Sequence, residues 1–127
     1  MLGNQAQACE AVALLVPGAK ADTTAATGGW VAVAKYEGQI AFIQSIGTVT
    51  AGSIAGKIRH ADDSGGTGAA DVTGATFTSI TTSNDPATEK IYVSASALKP
   101  YVQYLGTVTT GPADAGVVMV AHPKYVG

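Results

Sequence analysis

Charge is what this chain has least of: seven Lys and Arg and nine Asp and Glu among 127 residues, 13% of the chain, for a formal net charge of −2. An ordinary soluble domain carries roughly 25%. Seven scattered cations cannot make the basic stripe that phosphate binding needs, which excludes nucleic-acid binding as a main role. Near-zero net charge with 46% apolar residues also excludes a disordered chain. Cysteine occurs once, at Cys9, so neither an intrachain disulfide framework nor a cysteine-based zinc site can form. Long hydrophobic runs are missing, and none approaches the ~20 residues of a membrane helix. The run Ala11–Val16 follows Glu10 and precedes the first lysine, Lys20, the reverse of the cation-first order of a secretory signal.

The usual catalytic signatures are missing as well. His60 and His122 are the only imidazoles, at two expected strand ends, whereas a metal site in a double β-sheet needs several histidines and a carboxylate converging. No Gly-x-Ser-x-Gly elbow occurs, and no basic residue stands next to Cys9 in the sequence to activate its thiol. Asp62 and Asp63 are adjacent, so on a strand they would face opposite ways and could not act as a pair. The expectation is a non-enzymatic protein with no catalytic residues, no cofactor and no metal.

What the chain does contain is β-strand material. Ile40 and Phe42 share one parity and Ala41 and Ile43 the other, between Gly38 and Gly47. Ile54, Gly56 and Ile58 alternate with Ala55, Lys57 and Arg59, and Ile91, Val93 and Ala95 with Tyr92, Ser94 and Ser96. A period of two sends such sets to opposite faces of a sheet, one inward and one toward solvent or a partner. Fifteen threonines suit exposed strand faces. Strands are expected near 8–16, 29–36, 39–46, 53–60, 73–80, 89–97, 100–108 and 115–122. Turn signals separate them at Pro17-Gly18, Gly28-Gly29, Glu37-Gly38, Gly65-Gly66, Asn84-Asp85-Pro86, Lys99-Pro100 and Gly111-Pro112. Gln5–Leu15 also contains good helix formers, so a helix is the alternative there. Eight evenly spaced short strands predict an all-β fold, a single β-sandwich domain over 1–127 that is jelly-roll-like, with 1–7 and 123–127 as flexible or docking termini. Ile40, Phe42, Ile54, Ile58, Ile91, Val93 and Val102 are the expected core.

The stretch His60–Asp71 looks most like a site. Its Gly66 and Gly68 approach a dinucleotide fingerprint, but Asp71 replaces the third glycine and no helix follows to hold a pyrophosphate. Asp62, Asp63 and Asp71 could offer oxygens to Ca²⁺, although the EF-hand spacing is absent, so an exposed polar loop is expected and calcium binding is left open. Five Tyr and one Trp outnumber two Phe. Tyr and Trp combine apolar area with a polar tip, which suits interfaces. Trp30, Tyr36, Tyr101, Tyr104 and Tyr125, with His122 and Pro123 of the Pro-containing tail, are therefore the candidate interface residues.

The motif order also resembles a known group. Tyr36–Thr50 is similar to the paired hydrophobic strands, each closed by glycine, of small tailed-bacteriophage virion proteins. Gly56–Asp62, the glycine loop into Ala70–Ala75, the strand start Lys99–Val102 and the terminal stretch Gly116–Lys124 follow in the same order, so the resemblance covers roughly 30–125. It implies a capsid decoration or cement protein on the virion surface, made in the host cytoplasm. Its partners would be the major capsid protein and further copies of itself, as a trimer or dimer, with neither nucleic acid nor membrane. Low charge and many small residues fit close packing against neighbours, and many weak contacts add by avidity. A carbohydrate- or receptor-binding sandwich is the alternative, and it requires aromatics grouped on one loop face. A small enzyme would require a polar cleft that the sequence does not outline.

Overall fold

β-Branched and apolar residues at period two extend over most of the chain, and a computed structural model, which describes residues 9–123, places them in nine strands. These are β1 (Glu10–Lys20), β2 (Val31–Ala32), β3 (Tyr36–Val49), β4 (Gly52–Ala61), β5 (Ala70–Thr76), β6 (Ile80–Thr81), β7 (Ala87–Ser94), β8 (Tyr101–Thr110) and β9 (Ala113–Pro123). A 3₁₀ turn covers Ala95–Ala97. Tyr125, residues 1–7 and the tail beyond Pro123 lie outside the described residues.

The strands form two antiparallel sheets, β1-β9-β3-β7 and β2-β8-β4-β5, with β6 also on β4. Their pairing is nested: β1 with β9, β2 with β8, β3 with β7, and β4 with β5 and β6. Rolling that ribbon brings β9 against β3 and β8 against β4. This is the jelly-roll arrangement expected from the strand pattern.

The core lies between the sheets. From β3 it takes Ile40, Phe42 and Ile46, from β4 Ile54 and Ile58, from β8 Val102 and Tyr104, and from β9 Val117 and Met119, each at most 2% exposed. Six of the seven expected core residues are buried, and Ile91 is half-buried against them. The flanks are tied by hydrogen bonds: Thr78 N donates to Glu89 on β7 at 2.8 Å, and Val108 N donates to Thr23 at 3.1 Å.

Several element boundaries differ from the expectation. The Gln5–Leu15 run, where described, is strand. Pro17-Gly18 and Glu37-Gly38 do not end strands; they sit at irregularities where β1 and β3 shift register against β9. A bulge absorbs the extra residue and lets pairing resume, and β1 is an edge strand, where proline is tolerated. Gly38 has φ +73°, a conformation that side chains disfavour, so it supplies the kink without ending the strand. The expected strand 29–36 shrinks to β2, because Val33 N turns to the Pro100 carbonyl at 2.8 Å. The expected strand 73–80 splits into β5 and β6, because Phe77 N bonds to the Gly56 carbonyl at 2.8 Å. The expected strand 89–97 ends at Ser94, where the 3₁₀ turn begins.

Candidate interaction site

The start of β3, the ends of β4, β7 and β9, and the start of β8 meet at one end of the sandwich. A cleft of about 460 Å³ opens there, lined by Val33, Tyr36, Glu37, Ser94, Leu98 and Pro100 among others. Pro123, the last described residue of β9, pairs with Tyr36 beside this cleft, and His122 Nδ1 lies 3.8 Å from Glu37 Oε1.

The loop after β4 is held by its own polar groups. Asp63 Oδ1 accepts N–H bonds from Gly65 and Thr67 at 2.9 and 3.0 Å. Hydrogen bonds from Thr67, its side chain foremost, hold the Asp63 carboxyl below its ordinary pKa. Lys99 Nζ donates to the Gly68 carbonyl at 2.8 Å and lies 3.7 Å from Asp62. The backbone N–H of Lys99 reaches His60 Nδ1 at 3.2 Å, so that nitrogen acts as the acceptor. Burial, then the charge of Lys99, lowers the His60 pKa against the pull of Asp62.

The three aspartates considered for calcium do not converge. Asp71 lies on the outer face beside Lys57 and Arg59, at 3.0 and 3.6 Å, Asp62 faces Lys99, and Asp63 serves the loop backbone. Among the described residues no group of three or more His, Cys, Asp or Glu side chains could hold a metal ion. His60 and His122 belong to different sheets.

Four of the expected interface residues reach the surface near this end. Trp30 is half-buried with its ring against Gly66, and Tyr101, His122 and Pro123 are also half-buried. Two others do not. Tyr36 and Tyr104 are 2% and 0% exposed, which corrects their assignment as surface aromatics. Tyr104 shares the inward parity of Val102 and Gly106 and stacks at 6.1 Å against Phe77. Tyr36 opens β3 on the same inward parity as Ile40 and Phe42.

Tyr92 and Val16, which are 57% and 70% exposed, are not among the expected interface residues. Both belong to the four-stranded sheet, whose outer surface also carries Ile43, Val118 and Val120. The available signal was β9 itself, where Val117–Val120 is apolar on both parities.

No protein-family model matches the sequence, and no curated protein matches it. Among solved structures, the fold is similar to the SPBc2 prophage-derived protein YomS, with 13% identity over 88% of this chain and 92% of that one and a TM-score of 0.53. It is also similar to a chain in the structure of infectious bursal disease virus Gx strain, at 12% identity and a TM-score of 0.51. That match covers 93% of this chain but 34% of the viral one. A carbohydrate-binding module specific for non-crystalline cellulose, CBM28, gives 11% identity over 88% of this chain and 73% of that one, with a TM-score of 0.47. At these identities the likeness is one of fold: a two-sheet antiparallel β-sandwich.

Proposed function

We propose that the chain is a non-enzymatic structural protein of a virus particle, a decoration or cement protein that binds the major capsid protein and stabilises the shell. The jelly roll is the observation that carries this reading. Double-sheet jelly rolls recur in viral capsid domains, and a prophage-derived protein of similar extent shares the sandwich. The motif series Tyr36–Lys124 supports the same reading by its resemblance to small phage virion proteins. In this reading the protein resides on the virion surface as a homo-oligomer. It meets the shell through the end of the sandwich that carries Trp30, Tyr101, His122 and Pro123, together with the residues that follow.

The carbohydrate-binding alternative needs exposed aromatics on one loop face. Tyr36, Phe42, Phe77 and Tyr104 are in the core, Tyr92 lies on the sheet opposite Tyr101, and among the described aromatics only Trp30 and Tyr101, both half-buried, reach the surface near one end. That distribution favours the structural reading.

Co-sedimentation with empty capsid shells tests it. The full chain should pellet with shells, and deletion of Lys124–Gly127 should reduce occupancy while leaving the melting temperature nearly unchanged. Failure of the full chain to pellet would overturn the shell assignment. Full occupancy by the truncated chain would remove the tail from the contact.

A further inference from the structure

The two outer faces of the sandwich differ in kind. On the five-stranded sheet the outward positions include Lys57, Arg59, Asp71, Gln103 and Thr107, with ion pairs among the first three. On the four-stranded sheet, register sets Ala11, Val120, Ala41 and Tyr92 in one row across the strands, and Ala13, Val118, Ile43 and Lys90 in the next. A third row runs through Gly116, Ser45 and Thr88, with Pro17 packed beside Gly116 at the β1 bulge. Lys90 is the one charge in these rows, on edge strand β7 with its ammonium 5.7 Å from the Tyr92 ring, while Asp114, on the outward parity of β9, and the Glu37–His122 pair stand at the two ends of the face.

We infer that this outer face of β1-β9-β3-β7 is where a second copy of the chain docks, sheet against sheet, about a two-fold axis. The inference rests on the self-association within the reading above and names its surface. A two-fold contact is self-complementary, and charges in its middle lose their water, so it favours a face whose centre is uncharged and whose charges stand at the rim. The five-stranded face, with its cations and aspartate, fits that requirement poorly. The four-stranded face meets it, with small residues such as Ala11, Ala13, Ala41 and Gly116 that let the sheets approach and Tyr92 as a large exposed anchor.

Its size is sufficient. The eight paired positions of β3 and β7, Gln39–Ile46, span about 27 Å at ~3.4 Å per residue, and four strands at ~4.8 Å spacing span about 19 Å. The footprint is therefore roughly 500 Å² on each partner, about 1,000 Å² in total, the scale at which a specific interface begins. Shell attachment by the end of the sandwich leaves this face unobstructed, so both contacts can exist at once.

Sedimentation velocity of the full chain, wild type against V118K, Y92K and T107K, tests the inference. The wild type should sediment as a dimer or larger species at tens of micromolar. V118K and Y92K should weaken association at least tenfold with an unchanged circular dichroism spectrum. T107K, on the opposite outer face, should match the wild type. If V118K does not fold, Y92K decides, because that side chain is 57% exposed. A monomeric wild type, or folded V118K and Y92K that associate as the wild type does, would overturn the inference. The co-sedimentation assay separates the two readings: shell binding by a chain that stays monomeric removes this face and leaves the capsid assignment intact.

Discussion

The phenol of Tyr104, on β8 of one sheet, donates a 2.5 Å hydrogen bond to Oε1 of Gln44, on β3 of the other. Gln44 is 1% exposed and is the only buried polar side chain among the described residues. Burial pushes the Tyr104 pKa upward, so the group remains a hydroxyl donor at any ordinary pH. Removing one partner leaves the other unsatisfied in the core. Tyr104→Phe and Gln44→Leu should each therefore cost about 1–3 kcal/mol in denaturant unfolding. The double variant should be less destabilised than the sum of the two, and strict additivity would show that the bond contributes nothing.

Gly56 makes room for that pair. A Cβ there would overlap the Tyr104 hydroxyl and ring edge and Gln44 Oε1, so both side chains would have to move. Gly56→Ala should destabilise by about 1–3 kcal/mol, the scale of an overpacked core. An unchanged unfolding midpoint for Gly56→Ala would contradict the contact.

Ile58 is fully buried and pairs across the ladder with Tyr104, while its neighbour Arg59 points outward to Asp71. Ile58→Ala should cost about 2–5 kcal/mol. Arg59→Ala should cost at most about 1 kcal/mol, as an exposed ion pair does. Equal costs at the two positions would place β4 in the wrong register.

Stability should weaken in mild acid because of His60. Its Nδ1 accepts the Lys99 N–H bond, and burial with the Lys99 charge lowers its folded pKa below 6.5. As pH falls, the unfolded chain takes the proton first. The contribution is complete above pH 6.5, declines as pH falls toward the folded pKa, and is constant below that. The melting temperature should be lower at pH 5 than at pH 7.5, and His60→Gln should flatten that slope. An identical slope in His60→Gln would assign the effect to other groups.

Much of the fold is legible because strand parity is a local property. The alternations through Ile40–Phe42, Ile54–Ile58 and Ile91–Val93 identify both the strands and most of the core, since a period of two fixes which side chains share a face. Pro17-Gly18 and Glu37-Gly38 mislead for a physical reason. The same residues serve a turn and a bulge, and the partner strand decides between them, here β9, about 80–100 residues along the chain. The candidate interface was only partly legible. Trp30, Tyr101, His122 and Pro123 lie near one end, but a tyrosine suits a surface and a core equally well, and Tyr36 and Tyr104 went inside.

Composition and parity by themselves determined that this chain builds sheets with a large apolar core and little charge. Tertiary structure alone decided that the strands nest as a jelly roll, because the order of strands depends on pairings such as β1 with β9 that no local pattern encodes. It also decided that a glutamine could be buried at position 44, since the hydroxyl that satisfies it comes from Tyr104, 60 residues away. The outward side of β9 follows the same logic. Val118 and Val120 are as apolar as Val117 and Met119, and only the second sheet, packed against one side, made one pair core and the other pair surface.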